Sequence, residues 1–262
     1  MDLGLQDKVC VVTGASRGIG RATAERLSAE GARVLLVART EADVRAAAQA
    51  CGERAEWLAC DVTDPDADTE IVAEAVEQMG GIDVLVNNAG TSFARGIDEL
   101  TDADWLGQYA LHVLAPMRLM RAAAPRMAAA GGGRIVNVAS SAGKRPSLMN
   151  PAYSVTKAAQ LSLSRVFADL HAADGVLVNA VTPGGTASEL WMDAGGMADQ
   201  IAARDGGTRE DALAVQRAKI PLGRLAEPGE IADVILFLCS ARCGAVTGAA
   251  WSADGGSVQV II

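Results

Sequence analysis

The sequence predicts an α/β fold of the doubly wound class, one domain built on a parallel sheet of about seven strands with helices on both faces. Three observations lead there. Short β-branched runs alternate with longer Ala/Leu/Glu/Arg segments of helical period. The first six runs are mostly apolar at consecutive positions, as a sheet covered on both sides requires. The first run leads into a glycine-rich turn and then a helical segment.

Taken in order, the predicted strands are Lys8–Thr13, Arg33–Val37, Glu56–Cys60, Ile82–Val86, Arg134–Ala139, Leu177–Val181 and Ala249–Ser252. The segments between them run roughly ten to twenty-five residues, long enough for right-handed crossovers. Residues 1–262 read as one domain without a linker. Two stretches break the rhythm. Ala128–Gly133 is a small-residue turn before the fifth strand. Ala187–Lys219 is a long excursion after the sixth strand, rich in Gly, Asp, Met and Ala, with glycine pairs at 195–196 and 206–207 that suit hinges. An excursion at the carboxyl end of a strand is where such folds put substrate lids.

Composition narrows the partners. Half of the 262 residues are apolar and 21% are charged, as in a globular protein. Acids outnumber bases 32 to 23, a net charge of −9, which argues against a nucleic acid or an anionic membrane as partner. No apolar run reaches the ~18–20 residues of a membrane span. The opening MDLGLQDKVCVVTG lacks the basic stretch of an export signal, and a cytoplasmic location is expected. Cys10, Cys51, Cys60, Cys239 and Cys243 read as small core fillers in a reducing compartment. Cys239 and Cys243 have no histidine near them in sequence, so no metal site is expected.

Residues Thr13–Gly20 read TGASRGIG. Gly14 permits the tight turn, Gly18 lets backbone approach a pyrophosphate, and Gly20 lets helix and strand pack closely. The helix start then faces an anion with free N–H groups. Cofactor choice follows from the second strand. A fold that holds NAD usually carries an acid there for the ribose 2′-hydroxyl. Here the strand ends Val37-Ala38-Arg39, and Arg17 sits in the glycine loop. Two guanidinium groups and no carboxylate favour a 2′-phosphate, hence NADP(H) over NAD(H).

Residues Tyr153–Lys157 read YSVTK at the start of a predicted helix, and a spacing of four stacks both side chains on one face. A phenol titrates near 10, but a nearby ammonium favours the phenolate and moves it toward acid–base use. Ser140 ends the fifth strand, thirteen residues earlier, where its hydroxyl can meet the same oxygen.

These motifs together resemble the short-chain dehydrogenase/reductase family, in particular its 3-oxoacyl-reductase-like members, along nearly the whole chain. The matching stretches are TGASRGIG, CDVTD (Cys60–Asp64), NNAG (Asn87–Gly90), Ser140, YSVTK, NAVTPGG (Asn179–Gly185), PLGRLAEPGEIADVILFL (Pro221–Leu238) and ADGG (Ala253–Gly256). The resemblance implies a Rossmann fold and hydride transfer between NAD(P) and a carbonyl or alcohol. It implies Tyr153 as general acid/base, Ser140 orienting the substrate oxygen, and Lys157 holding the nicotinamide ribose and lowering the tyrosine pKa. Ser16 and Ile19 join the glycines and Arg17 in the phosphate loop, with Arg39 at the ribose. Asp61 and Val62 hold the adenine, Asn88, Ala89 and Gly90 line the adenosine side, and Pro183, Gly184 and Thr186 flank the nicotinamide. One position departs from the pattern. Seven residues after Trp105 the family usually has an asparagine that helps hold a water for a proton exit, and here stands His112. Its ring can donate, accept and titrate, or it can be a packed, satisfied core residue.

Epimerase or dehydratase chemistry within the same family is a rival that the intact pattern and ordinary length argue against, and two other rival readings remain. Gly14–Gly18 also spells G-x-S-x-G, a nucleophile turn with Ser16, and His171 follows in the chain. The other rival is a catalytically silent NADP-binding protein of the same fold, against which the intact Ser140, Tyr153 and Lys157 argue. The expected substrate is a small molecule, an apolar or aromatic ketone or alcohol or a 3-oxoacyl compound, lined by Phe93, Ser140, Met149, Trp191 and Met192. The resemblance also implies a homotetramer built on the fourth and fifth helices.

Overall fold

The computed structural model describes residues 1–259 of the chain. Among them seven strands form one sheet in the order β3-β2-β1-β4-β5-β6-β7, every pair parallel. The strands are β1 (Val9–Thr13), β2 (Arg33–Ala38), β3 (Ala55–Ala59), β4 (Val84–Asn87), β5 (Gly133–Val138), β6 (Val176–Pro183) and β7 (Ala250–Ala253). Each begins and ends within two residues of its expected position.

Alternation along the strands sorts the core into two layers. Val12, Val34 and Leu36 pack with the helices α1 (Gly18–Ala29) and α2 (Glu41–Cys51) on one face. Val11, Leu35 and Val37 pack with α3 (Ala67–Met79) on the other. Both layers are apolar because both faces are covered, which is why the strands read as continuous apolar runs. The order reverses direction between β1 and β4, so their carboxyl ends open a crevice at the switch point.

A long segment follows β4. Helix α4 (Asp102–Tyr109) starts on a capping box made by Thr101 and Asp104 and runs through a π-turn (Ala110–Leu114) into α5 (Ala115–Ala129). The Ala115 N–H donates to Ala110 O, five residues back. Pro116 has no N–H, so the carbonyl of His112 lacks its α-helical donor. After β5 comes α6 (Pro151–His171), started by a proline at its first position.

The excursion after β6 is not an irregular loop. It folds into α7 (Glu189–Met192), α8 (Met197–Asp205) and α9 (Arg209–Ala218). Gly206 ends α8 in the left-handed region at φ 76°, and Thr208 with Asp211 boxes the start of α9. Met197, Ile201, Ala202 and Ala212 bury a small core of their own beside Met149 and Trp191. Helix α10 (Pro228–Cys239) then returns to the layer of α1 and α2. No helix of the described residues is long and apolar enough to cross a membrane.

Candidate active site

The glycine loop is shaped by exclusion. Gly14 has φ 64°, and a Cβ there would sit 2.8 Å from Ala89 Cα. Gly18 has φ 57°. A Cβ on Gly20 would overlap the Gly14 carbonyl oxygen and the Asn88 amide. Asn88 Nδ2 donates to Thr13 O at 3.0 Å and Gly14 O at 3.1 Å, which ties the loop to the end of β4. Helix α1 begins behind Arg17 with no side-chain cap and no acid in its first turn. Its first N–H groups and positive dipole end therefore face the crevice free to meet an anion. The loop thus fits a dinucleotide's pyrophosphate.

Ser140, Tyr153 and Lys157 come together at the ends of β5 and α6. Ser140 Oγ accepts from Ala142 N–H at 3.1 Å, which leaves its own hydrogen free to donate. Burial raises the Tyr153 pKa, and a hydrogen bond with Ser140 works in the opposite direction. The expected lowering of Tyr153 by Lys157 is not found. Lys157 Nζ instead donates to Val138 O at 2.8 Å and to Gln160 Oε1 at 3.0 Å, and stands 5.6 Å from the centre of the Tyr153 ring. Burial brings its pKa down to about 7, so its charge is itself poised near neutrality.

His112 is fully buried. Thr156 Oγ1 donates to Tyr153 O at 3.0 Å, so it can only accept from the His112 Nδ1–H at 3.0 Å. This makes the Nδ1–H form of the ring, and Nε2 accepts from the Thr91 N–H at 3.4 Å. Burial, with the Lys157 charge second, holds its pKa well below the usual histidine range. The ring is a neutral tie between the loop after β4 and α6, set edge-on to Tyr153 at 5.2 Å between centroids. It is not part of the cavity wall.

A cavity of about 890 Å³ runs from Arg39 at the end of β2 to Trp191 and Lys219 in the excursion. Ser16, Arg17, Ile19, Asp61, Val62, Ala89, Gly90, Pro183, Gly184, Thr186, Phe93 and Met149 line it with the residues already described. Asp61 also accepts from Thr63 N and Oγ1, a local turn that fixes its carboxylate. Gly20 lies behind the wall, in its packing role. Met192 is a correction: it is 38% exposed and turned outward, because the last residue of the one-turn α7 faces away from its neighbour Trp191. The hydrolase pair is also absent. His171 ends α6, about 27 Å of helix from Tyr153 at 1.5 Å per residue, and pairs with Asp174.

Four polar residues were not anticipated. Gln160 receives the lysine, and only its place three residues after Lys157 hinted at this. Gln108 and Asn150 line the cavity near Tyr153. Asn137 joins the strands to α6, accepting from Asn87 Nδ2 and donating to Ser164 Oγ, each at 2.8 Å.

A parallel sheet with a crevice at its switch point, a glycine loop and a buried Ser–Tyr–Lys cluster defines a nucleotide-dependent oxidoreductase. The short chain dehydrogenase family model matches residues 8–198. The short-chain reductase protein NovJ of Streptomyces niveus is 39% identical over 254 residues, covering 96% of this chain and 94% of that protein. A sorbitol dehydrogenase of Cereibacter sphaeroides is 34% identical over 97% of this chain and 98% of its own length. L-Sorbose reductase of Gluconobacter frateurii, solved in complex with NADPH and L-sorbose, superposes with a TM-score of 0.93 at 36% identity, each chain covered completely. The chain belongs to the short-chain dehydrogenase/reductase family and is an oxidoreductase acting between alcohols and ketones.

Proposed function

We propose that the protein is an NADP(H)-dependent reductase or dehydrogenase of a small secondary alcohol/ketone pair, with Tyr153 as general acid/base. The observation that carries this is the convergence of Tyr153, the free hydroxyl hydrogen of Ser140 and a lysine poised near neutrality at one end of a cavity whose other end is the glycine loop. NADP(H), when bound, supplies or accepts the hydride. In the reducing direction Ser140 donates to the carbonyl oxygen and orients it. Tyr153 gives its phenolic proton to that oxygen. Lys157 would hold the cofactor's ribose and would stabilise the phenolate left behind. In oxidation the same groups act in reverse.

The choice of NADP(H) is supported by Ala38, where an NAD-binding chain would carry an acid, and by Arg17 and Arg39 on the cavity wall. The complex of the sorbose reductase with NADPH agrees with it. The apolar side chains of the buried Met197 and the half-buried Met149 near Trp191 support a pocket that closes over a small organic substrate. Assembly as a homotetramer is supported by Leu106 and Tyr109, exposed on α4. The five free cysteines support work in the cytoplasm.

The test is an assay of ketones and alcohols with both cofactors. Tyr153→Phe removes one hydroxyl and is expected to lose nearly all turnover while still binding NADPH. Substantial turnover by that variant would refute the role of Tyr153. Arg39→Ala is expected to weaken NADPH by ~1–3 kcal/mol, the worth of a charge-assisted contact, with little change for NADH. Equal wild-type affinity for the two cofactors would overturn the choice of NADP(H).

A further inference from the structure

Gln108 and Asn150 share a narrow crevice with Tyr153, Phe93, Leu100 and Ala152, and both also line the main cavity. Gln108 is only 4% exposed, yet its Oε1 has no hydrogen-bond partner. Asn150 gives its Nδ2 to Ser92 Oγ at 3.0 Å, and its Oδ1 is buried without a partner. Two carboxamide oxygens therefore stand bare beside the tyrosine expected to protonate the substrate. A buried acceptor left unpaired carries the full desolvation penalty, so such groups normally have a partner.

Neither amide oxygen is used by the fold. Asn150 precedes α6 but makes no side-chain cap there. Helix α4 is started by Thr101 and Asp104, eight and fewer residues before its end at Tyr109, without help from Gln108. The reacting carbonyl cannot satisfy these oxygens, because it has no hydrogen to donate. A hydroxyl group can. It also suits either orientation of a carboxamide, since it both donates and accepts.

Building on the alcohol/ketone reading above, we infer that the substrate carries a hydroxyl group next to the reacting carbon, an α-hydroxy ketone or its vicinal diol, and that both amides recognise that hydroxyl: Asn150 Oδ1 accepts its single hydrogen, and the Gln108 carboxamide, turned over, donates an N–H to its oxygen. An analogue without the hydroxyl leaves both carboxamides without that partner, so rejection of the plain ketone is built into the site. Phe93, Met149 and Trp191 then cover the carbon skeleton rather than select it.

The test compares acetoin with butan-2-one as substrates under NADPH, in the wild type, Gln108→Met and Asn150→Ala. The wild type is expected to favour acetoin in kcat/KM by ~10-fold or more, the worth of a hydrogen bond to a buried acceptor. In each variant that ratio is expected to fall several-fold toward one. A wild type that treats both ketones alike, or variants that keep the full ratio, would overturn the assignment while leaving the hydride-transfer reading intact. Turnover of neither ketone would count against that broader reading. A binding measurement then tests the amides separately. The NADP⁺-loaded wild type is titrated calorimetrically with butane-2,3-diol isomers and with butan-2-ol. Tighter binding of at least one diol isomer, lost in Gln108→Met, is the expected result, and equal binding of diol and mono-alcohol overturns the inference.

Discussion

At the scale of single residues the site is decided by hydrogen-bond bookkeeping around buried groups. His112 is the clearest case. Its Nδ1 is committed to Thr156 and its Nε2 faces Thr91, and burial keeps the ring neutral. A neutral ring with both nitrogens engaged has no proton to exchange near pH 7. The kcat profiles of the wild type and His112→Asn are therefore expected to have the same shape between pH 6 and 8. Loss of a limb near pH 6–7 in the variant would show that the imidazole takes part. Stability is different. The unfolded histidine binds a proton below about 6.5 and the folded one resists it, so wild-type stability falls as pH drops below that value. His112→Asn is expected to show a shallower acid loss in Tm over the same window.

At the scale of elements the excursion 187–219 is the part expected to move. It packs a small core of its own, and its ties to the rest of the site are few. Gln200 Oε1 accepts from Ala94 N at 2.9 Å, and Arg17 meets Asp193 at 3.6 Å with both side chains more than half exposed. An exposed pair of that kind contributes little. Gly195, at φ 75°, supplies a turn before α8 that most residues would resist. Hydrogen exchange in α7 and α8 is expected to slow when NADP(H) and substrate analogue are both bound, as the segment closes over the cavity. Unchanged exchange would mean the segment is a fixed wall. The neighbouring α4–α5 junction is built differently, its π-turn lying between the buried His112 and Pro116.

At the scale of the whole molecule the site costs stability. Lys157 is buried and its pKa is depressed to about 7 from the ordinary lysine value. Below pH 7 it is charged in both the folded and unfolded states, and the folded protein bears the full desolvation cost. Between pH 7 and about 10.5 the unfolded state holds the proton and the folded state does not, so the cost is relieved as pH rises. Replacing Lys157 by methionine removes that titration. The Tm of Lys157→Met relative to wild type is expected to be higher at pH 6 than at pH 9, whatever constant offset comes from the lost contacts to Val138 and Gln160. A Tm difference independent of pH would show that the ammonium is not desolvated. The rest of the molecule is arranged to hold that charge in place. The line from Asn87 through Asn137 to Ser164 joins β4, β5 and α6 beneath it.

The sequence by itself determined the sheet, the glycine loop and the Tyr153–Lys157 pair. Each is written in neighbours along the chain: apolar runs for strands covered on both faces, glycines where a Cβ has no room, a spacing of four for one helix face. Even the helical nature of the excursion had a local sign in the Thr208–Asp211 box. The tertiary structure alone decided where polar side chains of distant segments meet. Lys157 turns to Val138 and Gln160 rather than to Tyr153, Met192 faces solvent while Trp191 faces the cavity, and Gln108 from α4 and Asn150 from the residue before α6 share a crevice with the tyrosine. The physical reason is that a backbone's course follows from local propensity and pattern, whereas a rotamer and its hydrogen-bond partner are selected by packing between elements far apart in sequence.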